Sequence, residues 1–227
     1  MRASWSRGGG GPPPAAAGGP PAGRRRGGGR PPPGAAPPAP PPAGAPPAAI
    51  CGGSVRLRGL APASTQGDRV FLGLLERMGA EVRKTEEEIQ VEADGALAAL
   101  DCDLSAMPDQ VPTLAAVAAF ANGTTWIRNV AHLRIKESDR LAAVATELRR
   151  AGATVDELED GLRIEGDPGL AASPGSPRIP IDTYDDHRIA MSMALVGMRR
   201  GGLSIRRPEV VGKSYPGFWA DLEEIRR

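Results

Sequence analysis

One pattern recurs three times along the chain, and that recurrence restricts the fold to stacked copies of a single unit. Glycine, any residue, apolar, any residue, apolar, arginine reads as Gly53-Ser54-Val55-Arg56-Leu57-Arg58, Gly123-Thr124-Thr125-Trp126-Ile127-Arg128 and Gly201-Gly202-Leu203-Ser204-Ile205-Arg206, with Thr125 at the first apolar place of the second copy. Such alternation predicts short strands with one buried face, each entered through a glycine turn. Between the copies, Phe71, Leu74, Leu75 and Met78 fall at helical spacing and end at Gly79, and Leu141, Val144, Ala145 and Leu148 do the same before Gly152; both predict amphipathic, glycine-stopped helices. After each helix come two short alternating runs that read as a hairpin: Ala80-Glu81-Val82 with Ile89-Gln90-Val91, and Ala153-Thr154-Val155 with Leu162-Arg163-Ile164. Residues 110–121 and 186–199 supply closing helices just ahead of the second and third glycine-led strands. The unit is therefore helix, strand, turn, strand, helix, strand, an α/β architecture.

The first copy lacks its closing helix. Ahead of Gly53 stands Ala43-Gly44-Ala45-Pro46-Pro47-Ala48-Ala49-Ile50-Cys51, where two prolines and a shortage of large apolar residues predict no amphipathic helix. Composition changes at the same place. Residues 1–50 hold no acidic side chain and consist mostly of Gly, Pro and Ala, with Arg24, Arg25, Arg26 and Arg30 among them. Runs such as Pro31-Pro32-Pro33 remove backbone donors and offer little to bury, so residues 1–52 are expected to be a disordered tract with polyproline character. A unit cut in half suggests that this tract replaces genuine upstream sequence, as a truncated or shifted reading frame would. Residues 53–227 form the expected domain, large enough to bury a core.

Several function classes are disfavoured. The net charge of +1 gives no global bias towards nucleic acid or membrane, and a few arginines without interleaved aromatics are a poor nucleic-acid tail. Two cysteines without CxxC spacing and two histidines suggest neither a disulfide framework nor a metal site. No apolar run approaches a membrane span, and no secretory signal opens the chain. The acid-free leader is too poor in serine for a transit peptide, so the expected location is cytoplasmic.

Charge collects at three helix starts. Leu133-Arg134-Ile135-Lys136-Glu137-Ser138-Asp139-Arg140-Leu141 sets five charged groups before a helix, with Ser138 or Asp139 as its cap. Donors for an anion thus gather beside a carboxylate able to move a proton, although the same acids also read as neutralising Lys136 and Arg140 on a solvated helix end. Asp182-Thr183-Tyr184-Asp185-Asp186-His187-Arg188 opens the third closing helix. Arg188 carries the planar fork that suits a carboxylate or phosphate, while the acids complement the helix dipole and His187 alone reads as structural. Lys213, in Gly212-Lys213-Ser214-Tyr215-Pro216, is a phosphate contact in a glycine-hinged loop, but Arg207 stands where a P-loop needs its first glycine. Laying Gly123 on Gly201 aligns Asp109 with His187, which puts both at equivalent helix starts on one face.

The run from Leu133 to Leu141, the Asp185-Asp186-His187-Arg188-Ile189-Ala190-Met191 segment and Gly212-Lys213-Ser214-Tyr215-Pro216, in that order, resemble the signatures of the enolpyruvylshikimate-phosphate synthases. The resemblance implies repeated βαβαββ units in an enolpyruvyl transferase domain, an inside-out α/β barrel, here one incomplete domain of the usual two. It implies transfer of the enolpyruvyl group of phosphoenolpyruvate to the 5-hydroxyl of shikimate 3-phosphate, with release of phosphate and without cofactor or metal. By matching position, Asp109 resembles the carboxylate facing the attacking hydroxyl and Glu137 the acid/base at the methylene carbon. Arg140, Arg188 and Lys213 resemble the phosphoenolpyruvate clamp; Asp109, His132 and Lys136 resemble contacts to shikimate 3-phosphate, with His132 standing where some members carry asparagine. The substrates of this family lie between two domains, so the chain alone is expected to hold half a site and to need a separate amino-terminal domain. The related UDP-N-acetylglucosamine enolpyruvyl transferases share the fold, but Lys136-Glu137-Ser138-Asp139-Arg140 favours the shikimate enzyme. A non-catalytic remnant is the alternative.

Overall fold

In the computed structural model of the chain, residues 45–58, 67–85 and 88–225 are described. The expected disorder of residues 1–44, including the arginine-bearing stretch, lies outside them.

The first unit runs α1 (Ala45–Cys51), β1 (Gly53–Arg58), α2 (Gly67–Arg77), β2 (Glu81–Lys84) and β3 (Glu88–Ala93). Next come β4 (Asp101–Asp103), a 3-10 turn over Pro108–Gln110, α3 (Val111–Ala118), β5 (Gly123–Arg128), a second 3-10 turn over Ala131–Ile135, α4 (Arg140–Arg150), β6 (Thr154–Leu158) and β7 (Gly161–Gly166). The third unit has β8 (Ile179–Ile181), α5 (His187–Arg200), β9 (Leu203–Ile205), a 3-10 turn over Pro208–Lys213 and α6 (Phe218–Ile225). The repeat read from sequence is therefore present, with β9 shorter than its counterparts and α6 starting two residues after Pro216.

Helix α1 overturns the expectation for the segment ahead of Gly53. Its prolines, Pro46 and Pro47, stand in the first turn, where the backbone N–H groups have no helical acceptor and nothing is lost by removing them. The rest of the helix is small because its setting is tight. Ala45, Ala48, Ala49 and Ile50 are all buried, and α1, α3 and α5 pack on one another. Alanine-rich α3 is buried at nearly every position from Val111 to Ala118. Three helices thus form the centre and the sheets lie around them, which is the inside-out arrangement. The ordered domain begins by residue 45, ahead of the expected boundary at 53.

The sheets have the orders β1-β3-β2, β4-β5-β7-β6 and β8-β9. In the second sheet β4 runs parallel to β5, while β5·β7 and β7·β6 are antiparallel; β8 lies parallel to β9 as β4 does to β5. The β7 end of this sheet presses on the helical centre. A Cβ at Gly166 would stand 2.1 Å from the carbonyl oxygen of Ala121 and 2.6 Å from that of Ala118, both backbone atoms that cannot swing aside. Gly166→Ala is expected to destabilise the domain by about 2 kcal/mol or more, read as a lower urea midpoint at unchanged slope; a midpoint equal to that of the parent would contradict this packing.

Candidate active site

Helix starts carry the chemistry. Asp139 caps α4 by accepting the Ala142 N–H at 3.0 Å, which fixes Arg140 in the first turn, where its side chain is only 4% exposed. Asp186 caps α5 by accepting the Arg188 N–H at 2.9 Å and is itself fully buried. The two helix starts meet: Arg140 Nε donates to Asp186 Oδ2 at 2.6 Å. Ser138 Oγ donates to the same carboxylate at 3.4 Å.

Asp109, on the 3-10 turn before α3, completes the arrangement. It accepts from Arg140 Nη1 at 2.8 Å through Oδ1 and from Arg188 Nη2 at 2.9 Å through Oδ2, while its carbonyl oxygen takes Arg188 Nη1 at 3.1 Å. Glu137 Oε2 lies 3.8 Å from Arg140 and 3.6 Å from His187 Nδ1. Asp109 and Glu137 are each about half exposed. The result is a partly exposed cluster of two guanidinium forks, two half-exposed carboxylates and one imidazole.

The charges are stabilised unequally. Burial disfavours the Arg140 cation, but Asp186 and Asp109 outweigh it and hold its pKa above the ordinary range. Arg188 is pulled below its ordinary value by burial, with Asp109 opposing. His187 is pushed below 6.5, first by burial and next by the Arg188 cation, so it is neutral at pH 7. Its Nδ1 is buried and has no hydrogen-bond partner among the described residues. A donor held by Asp109 alone is available to an incoming anion, because a phosphate or carboxylate can take over the same forks.

Lys213 joins from the turn after β9. Its Nζ donates to the Asp185 carbonyl at 3.2 Å, beside the left-handed pair Tyr184 (φ 53°) and Asp185 (φ 57°) that leads into α5. That turn is held from below. Fully buried Glu147 accepts the Tyr184 hydroxyl at 2.9 Å and Arg150 Nη1 at 3.0 Å, and the Tyr184 pKa rises to about 12, chiefly by burial and then by its bond to Glu147. Arg207 also pairs with Asp185.

Of the residues singled out in sequence, Asp109, Glu137, Arg140 and Arg188 come together in one contact network, and Lys213 sits at its margin. His132 and Lys136 do not contact that network. Both are exposed on the 3-10 turn and its end. Nothing in a lone sequence separates a buried acid from a surface one, so the burial of Asp186 and Glu147 leaves no signal there; His187, which reads as structural in sequence, instead has a buried Nδ1 without a hydrogen-bond partner among the described residues. Glu137, Asp186 and His187 also present one ligand atom each within 4.8 Å of one another. A cation already stands there, however, because Arg140 Nε fills the Asp186 lobe.

The solved structure of the enolpyruvyl transferase NikO from Streptomyces tendae overlays with a TM-score of 0.63 at 20% identity, covering 81% of this chain and 41% of that one, which speaks to the fold. EPSP synthase from Acinetobacter baumannii overlays with a TM-score of 0.61 at 30% identity, covering 80% and 44%. The family model for EPSP synthase (3-phosphoshikimate 1-carboxyvinyltransferase) matches residues 45–222. Curated 3-phosphoshikimate 1-carboxyvinyltransferases from Syntrophobacter fumaroxidans and Methanoculleus marisnigri are 52% and 48% identical, over 79% and 77% of this chain and 41% and 40% of their own. Three α/β units wound around buried helices, with arginine forks at two helix starts, define an enolpyruvyl transferase domain. Within that class, the chain belongs to the EPSP synthase family, and it spans about two fifths of the length of the curated relatives it matches.

The His187 environment makes a checkable statement. Its folded pKa lies below the unfolded value, so the unfolded chain binds the extra proton and stability falls as pH drops below 6.5. An NMR titration of the His187 ring is expected to give a midpoint under 6.5, and His187→Gln is expected to flatten the acid-side loss of stability. A midpoint at or above 6.5 would contradict the burial described.

Proposed function

We propose that the domain contributes half of the active site of a cytoplasmic enzyme that transfers the enolpyruvyl group of phosphoenolpyruvate to the 5-hydroxyl of shikimate 3-phosphate, releasing phosphate. The observation that carries the proposal is the meeting of Arg140 and Arg188 on Asp109, with Glu137 alongside.

Two multiply charged anions must come together, and fixed cations offset their repulsion without reorganising. In this reading Arg140 and Arg188 turn their forks from Asp109 to phosphoenolpyruvate, assisted by Lys213, and Asp109 is freed to face the attacking hydroxyl. The hydroxyl oxygen bonds to the enol carbon that bears phosphate, its proton leaves towards Asp109, and the methylene carbon gains a proton from Glu137, giving a tetrahedral intermediate. Loss of phosphate then restores the double bond as the methyl carbon returns a proton. Neutral His187, 3.6 Å from Glu137, stands ready to relay that proton. Exposed Lys136 and His132 face solvent here and are assigned to shikimate 3-phosphate by their match to the family pattern. The remaining contacts fall to an amino-terminal domain corresponding to the part of the relatives that this chain does not match.

A chimaera carrying residues 45–222 of this chain in place of the matching part of the Syntrophobacter fumaroxidans relative is expected to release phosphate from the two substrates. Glu137→Gln in that chimaera should lower kcat by about a hundredfold or more, and the chain alone should show no turnover. A folded but silent chimaera would contradict the reading, as would full turnover by the chain alone.

A further inference from the structure

The approach to α5 contains a turn that its own sequence does not favour. Asp186 N–H donates to the Thr183 carbonyl at 2.8 Å and closes residues 183–186, whose central members, Tyr184 and Asp185, have φ of 53° and 57°. Turns with positive φ at both central places take Gly, Asn or Asp there, so Asp185 suits its place while a bulky side chain does not suit the other. Burial of the ring does not hold it there either, because Tyr184 is 42% exposed. Such a conformation persists only where neighbouring groups fix it.

The fixing group is Glu147. Its side chain has no exposed surface, and it accepts the Tyr184 hydroxyl at 2.9 Å and the Asp182 N–H, just ahead of the turn, at 3.3 Å. Arg150 Nη1 adds a third donor at 3.0 Å. Each donor offsets part of the hydration that a buried carboxylate has lost, and two of these donors belong to the segment that enters α5. Glu147 stands about two helical turns after Arg140 on α4, and Arg140 holds Asp186 from the same helix. Helix α4 thus grips the entry to α5 at Tyr184 and again at Asp186, with Asp185 between.

Two cations of the site take their places from that entry. The Asp185 carbonyl receives Lys213 Nζ at 3.2 Å, and the Asp185 carboxylate pairs with Arg207. Asp186 accepts the Arg188 N–H at 2.9 Å, and the Arg188 fork lies on Asp109. We propose that Glu147 and Tyr184 are positioning residues of the anion site: the buried carboxylate, acting through the tyrosine hydroxyl, sets the turn that places Lys213 and aims Arg188. The inference rests on the reading that these cations receive phosphoenolpyruvate.

Tyr184→Phe keeps the ring and removes only the hydroxyl. In the full chain labelled with nitrogen-15 arginine and titrated with phosphoenolpyruvate, the Arg188 Nε–H signal of this variant is expected to report an affinity about tenfold below that of the parent. Glu147→Leu removes the acceptor and should lose as much, and the double variant should lose no more than either change alone. Glu147→Gln keeps an oxygen for the hydroxyl and should lose less than about threefold. Gly166→Ala loosens the packing at the end of α3 remote from Asp109 and should leave the affinity unchanged, which separates positioning from general stability. Should Glu147→Leu not fold, Tyr184→Phe and Glu147→Gln decide.

A parent chain that does not respond to phosphoenolpyruvate would defeat the reading of the site, and the positioning is then read without ligand. Tyr184→Phe is expected to displace the Arg188 Nε–H signal while Arg83 stays in place. Parent affinity in Tyr184→Phe, or an equal loss in Gly166→Ala, would overturn the proposal, as would an Arg188 signal that the variant leaves unmoved in the ligand-free spectrum.

Discussion

The site depends on one buried cation. Arg140 is 4% exposed and Asp186 is fully buried, so each would be costly alone and tolerable only as a pair. Their 2.6 Å contact joins the start of α4 to the start of α5, and the same guanidinium reaches Asp109 on the turn before α3. Three separate helix starts are thereby held in register by one side chain. Because Asp186 also caps α5, the direction of Arg188 follows from the same interaction.

What permits such close convergence is the smallness of the helical centre. Buried alanines of α1 and α3, with Ala190 and Ala194 of α5, let these three helices pack closely on one another. Larger side chains there would move Asp109 away from Arg140 and Arg188. The charged cluster and the core packing are therefore coupled: Asp109, Arg140 and Arg188 stand at helix starts, where backbone N–H groups lack helical acceptors, and the residues behind them set the spacing.

The repeat was legible because glycine turns and alternating strands leave a periodic trace, and the positions of Asp109 and His187 at equivalent helix starts followed from it. Other features left no such trace. Proline near Ala45 argued against a helix, yet first-turn prolines remove only donors that had no acceptor, and burial among two other helices supplies the stability that local propensity lacks. The burial of Asp186 and Glu147 is one such feature, because a sequence carries no mark of burial. His132 and Lys136 stand in the sequence pattern of the family but outside the contact network, exposed on the 3-10 turn and at its end.

The central claim is that Arg140 and Arg188 form an anion-binding surface rather than a purely structural knot. Side-chain Nε–H resonances of the chain labelled with nitrogen-15 arginine report this directly during a titration with phosphoenolpyruvate. The account predicts saturable shifts for Arg140 and Arg188, with the remote Arg83 signal unmoved. Unchanged Arg140 and Arg188 signals, or equal shifts at all three arginines, would contradict it.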